Sequence, residues 1–172
     1  MSGSLMLNDR DFGNTTSVVM AIVNRTPDSF YDGGATFDDG AALDRVAQVV
    51  AEGAEIVDIG GVKAGYGEDV DEPEEIRRTA SLVERVRADF PHLVISVDTW
   101  RAEVGRELCH RGADLLNDTW SGADPEVAEV AAEFDVGLVC SHSGGLGPRT
   151  GPHRATRCSR RRQSPRWSTR SQ

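Results

Sequence analysis

Val18-Val19-Met20-Ala21-Ile22-Val23, followed by Asn24-Arg25-Thr26-Pro27-Asp28-Ser29-Phe30-Tyr31-Asp32-Gly33-Gly34, is an apolar run that stops on polar and turn-forming residues. Six apolar residues bounded in this way predict a buried strand. The amide, the proline, the two carboxylates and the two glycines then collect at one edge of a sheet. In α/β proteins that edge, at the carboxyl ends of the strands, is where ligands bind.

Outward from this stretch the pattern repeats. Leu43, Val46, Ala47 and Val50 recur at helical spacing, and residues 54–59 read as a second strand running into Gly60-Gly61. Asp71-Glu72-Pro73-Glu74-Glu75 is a helix start, with acids in the first turn and a proline where its missing N–H costs nothing. Ile76, Ala80, Val83 and Val86 continue that helix. Residues 93–97 form a third strand ending on Asp98-Thr99, and a helix near 101–111 leads to a fourth at 113–116, ending on Asn117-Asp118. Asp124-Pro125 opens a helix with the face Val127, Val130, Ala131 and Phe134, and residues 136–140 are a fifth strand closing on His142. Strict βα alternation implies a parallel sheet covered by helices. Periodicity alone leaves a doubly wound sheet and a (β/α)8 barrel open.

A length of 172 residues suits one domain, and 38% hydrophobic residues can build a core. The net charge of −9 conceals a division: residues 149–172 hold eight arginines and no acid, so the first 148 residues carry 11 bases against 28 acids, or −17. An acidic body is a poor nucleic-acid binder, because phosphate neutralisation needs a basic surface; only the tail has that character. No apolar run approaches the roughly 18 residues of a membrane span, and the first 16 residues do not resemble a signal peptide. Cys109, Cys140 and Cys158 are odd in number and widely spaced, as expected of reduced cytoplasmic thiols.

The segment 24–30 resembles the signature that opens dihydropteroate synthase, with Arg25 in place of a small apolar residue. Val57-Asp58-Ile59-Gly60-Gly61, Ile95-Ser96-Val97-Asp98-Thr99 and Leu115-Leu116-Asn117-Asp118 resemble the family's next three strand ends, in order. The resemblance implies a (β/α)8 TIM barrel that joins a dihydropterin methyl diphosphate to 4-aminobenzoate, with Mg2+ on the diphosphate. It assigns Asn24 to the magnesium ion as an oxygen ligand suited to a hard cation. Asp98 and Asn117 fall to the pterin ring, whose aminopyrimidinone edge a carboxylate and an amide can pair with. Asp28, with Pro27 and Phe30, belongs to a loop that closes over the site. Without the resemblance, Asn24 reads as an ordinary strand-end amide, and Asp98 and Asn117 read equally as helix caps or as ligand residues.

The second loop departs from the family. Where the pattern is Glu-Ser-Thr-Arg-Pro-Gly, this chain has Val62-Lys63-Ala64-Gly65-Tyr66-Gly67. Lys63, the sole lysine, is the candidate cation toward phosphate. Arg25 is expected either to face diphosphate or to intrude on the aminobenzoate pocket. The family's signatures of strands six to eight have no counterpart after Gly144. The expected architecture is therefore a partial barrel of about five parallel strands and four helices, open because its C-terminal part is missing. Residues 1–17 are read as a partly disordered lead-in, 18–143 as the barrel portion, and 144–172 as a basic disordered tail, either an out-of-frame end or an arm for polyanions. The intact family forms homodimers, which a truncated chain is not expected to keep. Three readings follow: a weak or inactive synthase, a paralogue with another or no second substrate, or a non-enzymatic polyanion-binding fragment.

Overall fold

The computed structural model describes residues 5–13, 17–25, 38–63, 69–142 and 147–149. Five parallel strands, β3 (Met20–Asn24), β4 (Ile56–Gly60), β5 (Val94–Asp98), β6 (Leu115–Asp118) and β7 (Gly137–Cys140), pair in the order of the chain. Helices α1 (Asp39–Ala51), α2 (Glu72–Asp89), α3 (Ala102–His110) and α4 (Glu126–Glu133) connect them. A doubly wound sheet reverses its strand order and so takes helices on both faces. Right-handed crossovers that always advance in one direction put every helix on the same face. The architecture is thus an arc of a (β/α)8 barrel, and among the described residues β3 and β7 are its edges.

Period-two alternation divides the sheet. Val23, Val57, Ile59, Ile95, Val97 and Leu116 face the helices and are at most 1% exposed. They pack with Val46, Leu82, Val83, Val86, Val104, Leu108 and Val130 into one core. The other face carries Ile22, Asp58, Ser96 and Leu115 in one cross-strand row, and Asn24, Gly60, Asp98, Asn117 and Val139 in the next. Ile22 and Val139, at the two edges of this inner face, are exposed.

Every parallel strand starts later than the apolar pattern implies, and the first four also end later. The polar residues at 24, 60, 98 and 117–118 are the last paired residues of their strands, held by ladder hydrogen bonds whatever their side chains. The α1 face is broader than its apolar pattern implies: Ala42, Val46 and Val49 are buried, Leu43 and Val50 pack half-buried against the same core, and Ala47 is exposed. Asp38 caps this helix, accepting from the backbone N–H of Gly40 (2.9 Å) and Ala41 (3.2 Å). Asp71 caps α2 through Glu74 N–H at 2.9 Å, with Pro73 in the first turn as its sequence implies.

The lead-in is in part structured. β1 (Leu5–Leu7) and β2 (Arg10–Phe12) form an antiparallel hairpin around Asn8 and Asp9, whose φ of 47° and 58° suit a tight two-residue turn. Leu7 packs on Ile56 and Val94, the first residues of β4 and β5. Asn8 donates to the carbonyls of Pro91 (3.1 Å) and Leu93 (3.3 Å), and Arg10 pairs with Glu55 at 2.7 Å. The hairpin therefore packs at the amino end of the inner face, opposite the end that carries the strand-end polar residues.

Candidate ligand site at the carboxyl edge of the sheet

Asn24, Gly60, Asp98 and Asn117 are cross-strand partners in a single row. Even spacing in side-chain period brings three polar side chains from three strands to the same face, with a glycine between the first two. A Cβ placed on Gly60 would lie 3.0 Å from Asn24 Oδ1 and 3.6 and 3.8 Å from Asp98 Cβ and Oδ2. The missing side chain is what makes the notch between the amide and the carboxylate. Gly61 serves the opposite face: a Cβ there would meet Thr79 Cγ2 at 2.9 Å, so α2 can pack this close only on glycine.

Neither Asp98 nor Asn117 caps a helix. Thr99 Oγ1 accepts from Arg101 N–H (3.2 Å), and Asp124 Oδ2 accepts from Ala102 N–H (2.8 Å), so the start of α3 is satisfied by other groups. Asp124, expected to open only the following helix, ties α3 to it: its other oxygen accepts from Glu126 N–H at 3.1 Å. With capping done elsewhere, Asp98 and Asn117 are turned to the inner face.

Two residues that strand periodicity could have flagged lie under this row. Asp58 and Ser96 are the lone polar residues inside Ile-Val-Asp-Ile-Gly and Val-Ile-Ser-Val-Asp, two positions before Gly60 and Asp98. Asp58 Oδ1 accepts from Ser96 Oγ at 2.5 Å, and both its oxygens lie 3.3 Å from Asn117 Nδ2. Thr119 Oγ1 donates to Asp98 Oδ1 at 3.2 Å. Burial, followed by the charge of Asp58, pushes the Asp98 carboxyl up to about 7, against the lowering effect of the Thr119 hydroxyl. Burial also raises Asp58, partly offset by its bonds from Ser96 and Asn117. The site thus holds two facing carboxyls that resist ionising together.

The turns that follow β5 and β6 are tied down. Asp118 accepts from Trp120 N–H (2.8 Å) and Gly122 N–H (2.5 Å), folding the turn after β6. Trp120 meets Trp100 edge-on, with ring centres 6.4 Å apart. Arg101 pairs with buried Glu75, donates to the Val70 carbonyl at 2.7 Å and lies over Trp100 at 4.5 Å.

Arg25 corrects both expectations held for it. One residue past Asn24, it takes the opposite side of the strand and is 5% exposed. Its Nε donates to the Arg78 carbonyl (2.9 Å), and its guanidinium pairs with Asp39 at the start of α1, which in turn accepts from Ser81 Oγ at 2.9 Å. Arg25 belongs to the helix side of β3, opposite the inner row of Asn24, Asp98 and Asn117. Lys63 follows Gly60 by three residues, half-buried at the same edge, and His142 is exposed beyond β7. Asp28, Pro27, Phe30, the segment 64–68 and the arginine-rich residues 150–172 lie outside the described residues. Among the described residues no group of three His, Cys, Asp or Glu side chains could hold a metal, and no helix is long and apolar enough to cross a membrane.

The profile of the pterin binding enzyme family matches residues 20–163. A relative named inactive dihydropteroate synthase 2, from Mycobacterium bovis, is 56% identical over 147 residues, covering 86% of this chain and 46% of its own length. The Yersinia pestis dihydropteroate synthase, solved with a sulfonamide drug complex, superposes with a TM-score of 0.77 at 34% identity over 86% of this chain and 53% of that one. The Xanthomonas albilineans enzyme in complex with 7,8-dihydropteroate gives a TM-score of 0.67 at 36% identity over 81% and 51%. The chain spans about half the length of the relatives it matches. The profile match, together with the one-directional arc of strands, places the chain in the pterin binding enzyme family, and the relatives it resembles are named as dihydropteroate synthases or inactive dihydropteroate synthases.

Proposed function

We propose that this chain carries the amino-terminal half of a dihydropteroate synthase-type site and binds the dihydropterin ring. The observation that carries the reading is the register: Asp98 and Asn117 are direct cross-strand partners, with Asn24 two strands away in the same row. A carboxylate and an amide side by side match the donor-rich edge of an aminopyrimidinone. Asn24 Oδ1, an uncharged oxygen at the notch over Gly60, fits a hard cation that keeps most of its water and shares a substrate's diphosphate. Magnesium bound there would offset the negative charge of a departing diphosphate. The residues of this chain orient the ring, and the Asp28 loop would exclude water while the C–O bond to diphosphate breaks and the C–N bond to 4-aminobenzoate forms. Lys63 would supply a cation toward the phosphates. A cytoplasmic location suits a small-molecule transferase with free thiols at Cys109 and Cys140.

Turnover by the 172 residues alone is expected to be weak or nil. Removing one preorganised charge-stabilising group costs about 10²–10³ in rate, and half a barrel offers half a set. The likeness to a relative named inactive, at 56% identity against 34% and 36% for the two synthases, favours a paralogue with an altered second-substrate loop over an ordinary synthase. A coupled assay with purified chain, dihydropterin diphosphate, 4-aminobenzoate and Mg2+, run beside a pterin titration, tests both parts. Saturable pterin binding with little diphosphate release supports the reading. Turnover near the typical enzyme rate of about 10 per second, or no pterin binding at all, refutes it.

A further inference from the structure

We propose that Asp58 is a positioning residue that sets the polarity of the ligand-reading edge by locking one orientation of the Asn117 amide. The inference rests on the pterin reading and deepens it. An amide has two ends of nearly equal size and opposite hydrogen-bonding character, so an amide free to turn over reads a donor and an acceptor alike. Asn117 is 8% exposed, and its Nδ2 faces the Asp58 carboxylate, 3.3 Å from each oxygen. The reversed amide would set its carbonyl oxygen against that carboxylate, losing the bond and bringing two acceptors together in a buried place.

Asp58 is itself held. Ser96 Oγ donates to its Oδ1 at 2.5 Å, and the residue is 4% exposed between the apolar Val57 and Ile59. The chain Ser96 to Asp58 from below, and Asn117 to Asp58 from above, has one direction only. Among the described residues no donor reaches Asn117 Oδ1, which is therefore the end offered to a ligand. On the next strand Thr119 occupies Asp98 Oδ1, while Asp98 Oδ2 lies toward the Gly60 notch. The edge so formed presents two acceptors side by side. It selects rings with adjacent N–H donors, such as a 2-amino group beside a ring N–H, over analogues with a carbonyl in place of the amino group.

The test compares pterin with lumazine, its 2-oxo analogue, by titration of the full chain and of Asp58→Asn, which keeps shape but allows either amide orientation. Titrations are made at about pH 7.5, above the Asp98 carboxyl at about 7 yet low enough that the ring N–H of both pteridines stays mostly protonated, so that loss of the Asp58 charge leaves Asp98 mainly ionised in both proteins. The wild type should prefer pterin by about tenfold or more, and Asp58→Asn by less than about threefold. An unchanged preference, or an equal loss for both rings, overturns the proposal, since a merely structural aspartate would weaken both alike. The Asn117 side-chain amide protons are followed in parallel by NMR in 15N-labelled protein. If the wild type binds neither ring, the pterin reading fails and the amide signal alone decides. A signal moved by Asp58→Asn and by Ser96→Ala supports the lock, and one unmoved by both refutes it.

Discussion

Asp58, Ile59 and Gly60 are consecutive, yet they serve two regions with opposite requirements. Ile59 is fully buried against the helices, in an aliphatic core continuous from Val23 to Val130. Asp58 and Gly60 face the inner side, where a carboxylate is kept out of water and a side chain is left out altogether. The helix side is where burial stabilises the arc; the inner side holds buried carboxyls whose ionisation works against folding. Raised carboxyls at Asp58 and Asp98 are the physical trace of that conflict.

The difference can be broken most forcefully from the helix side. Ile59→Ala removes a side chain with no exposed surface and should cost about 2–5 kcal/mol, read from the midpoint of urea unfolding. This variant should be largely unfolded at a denaturant concentration the parent tolerates.

A change of opposite sign is expected one row away. Asp98 is raised in the folded state, so the native chain binds the extra proton more tightly than the unfolded one. That stabilisation is present at low pH and is lost as pH rises from about 4 to about 7, leaving the ionised, buried group as a penalty above it. Asp98→Asn should therefore raise the melting temperature at about pH 8, by the equivalent of roughly 1–3 kcal/mol, and do little at about pH 4. Asp58, Glu75 and Asp114 are raised as well, so the variant should flatten the pH dependence of the parent without abolishing it. A melting temperature that falls in Asp98→Asn at about pH 8 would contradict the burial argument.

The smallest effect belongs to the seam between the regions. Asp124→Ala removes the acceptor for Ala102 N–H and should cost about 0.5–2 kcal/mol, with hydrogen exchange quickened at the start of α3. Protection there equal to the parent's would show that Asp124 does not cap this helix.

Much of this was open to a reader of the sequence, for reasons that differ by region. The helix side was legible because apolar period sorts residues by burial. Even there the stripe Leu43, Val46, Ala47 and Val50 held only in part: Ala42 and Val49 join the packed face and Ala47 leaves it. Asn24, Asp98 and Asn117 were legible as strand-end polar residues, and their register added that they share one row. Arg25 was misread because chemistry was weighed ahead of alternation: the residue after an inward Asn24 must point outward. Asp58 and Ser96 went unread for the opposite reason, as short polar residues hidden within apolar strands. The Leu5–Phe12 hairpin was missed because its signal is confined to Asn8-Asp9, a turn pair inside a polar stretch. Asp98 and Asn117 could not be separated from helix caps by sequence, because only coordinates show Thr99 and Asp124 doing the capping.

The inner row of Asn24, Asp98 and Asn117 is assigned to a pterin ring. Trp100 and Trp120 sit in the loops that follow Asp98 and Asn117, so quenching of their fluorescence reports on that edge. Titrating a dihydropterin into the 172-residue chain should give saturable quenching, weakened about tenfold or more in Asp98→Asn even though that variant melts higher at about pH 8. Equal affinity in the two proteins, or no saturable binding in either, would contradict the assignment of this row as the ligand site.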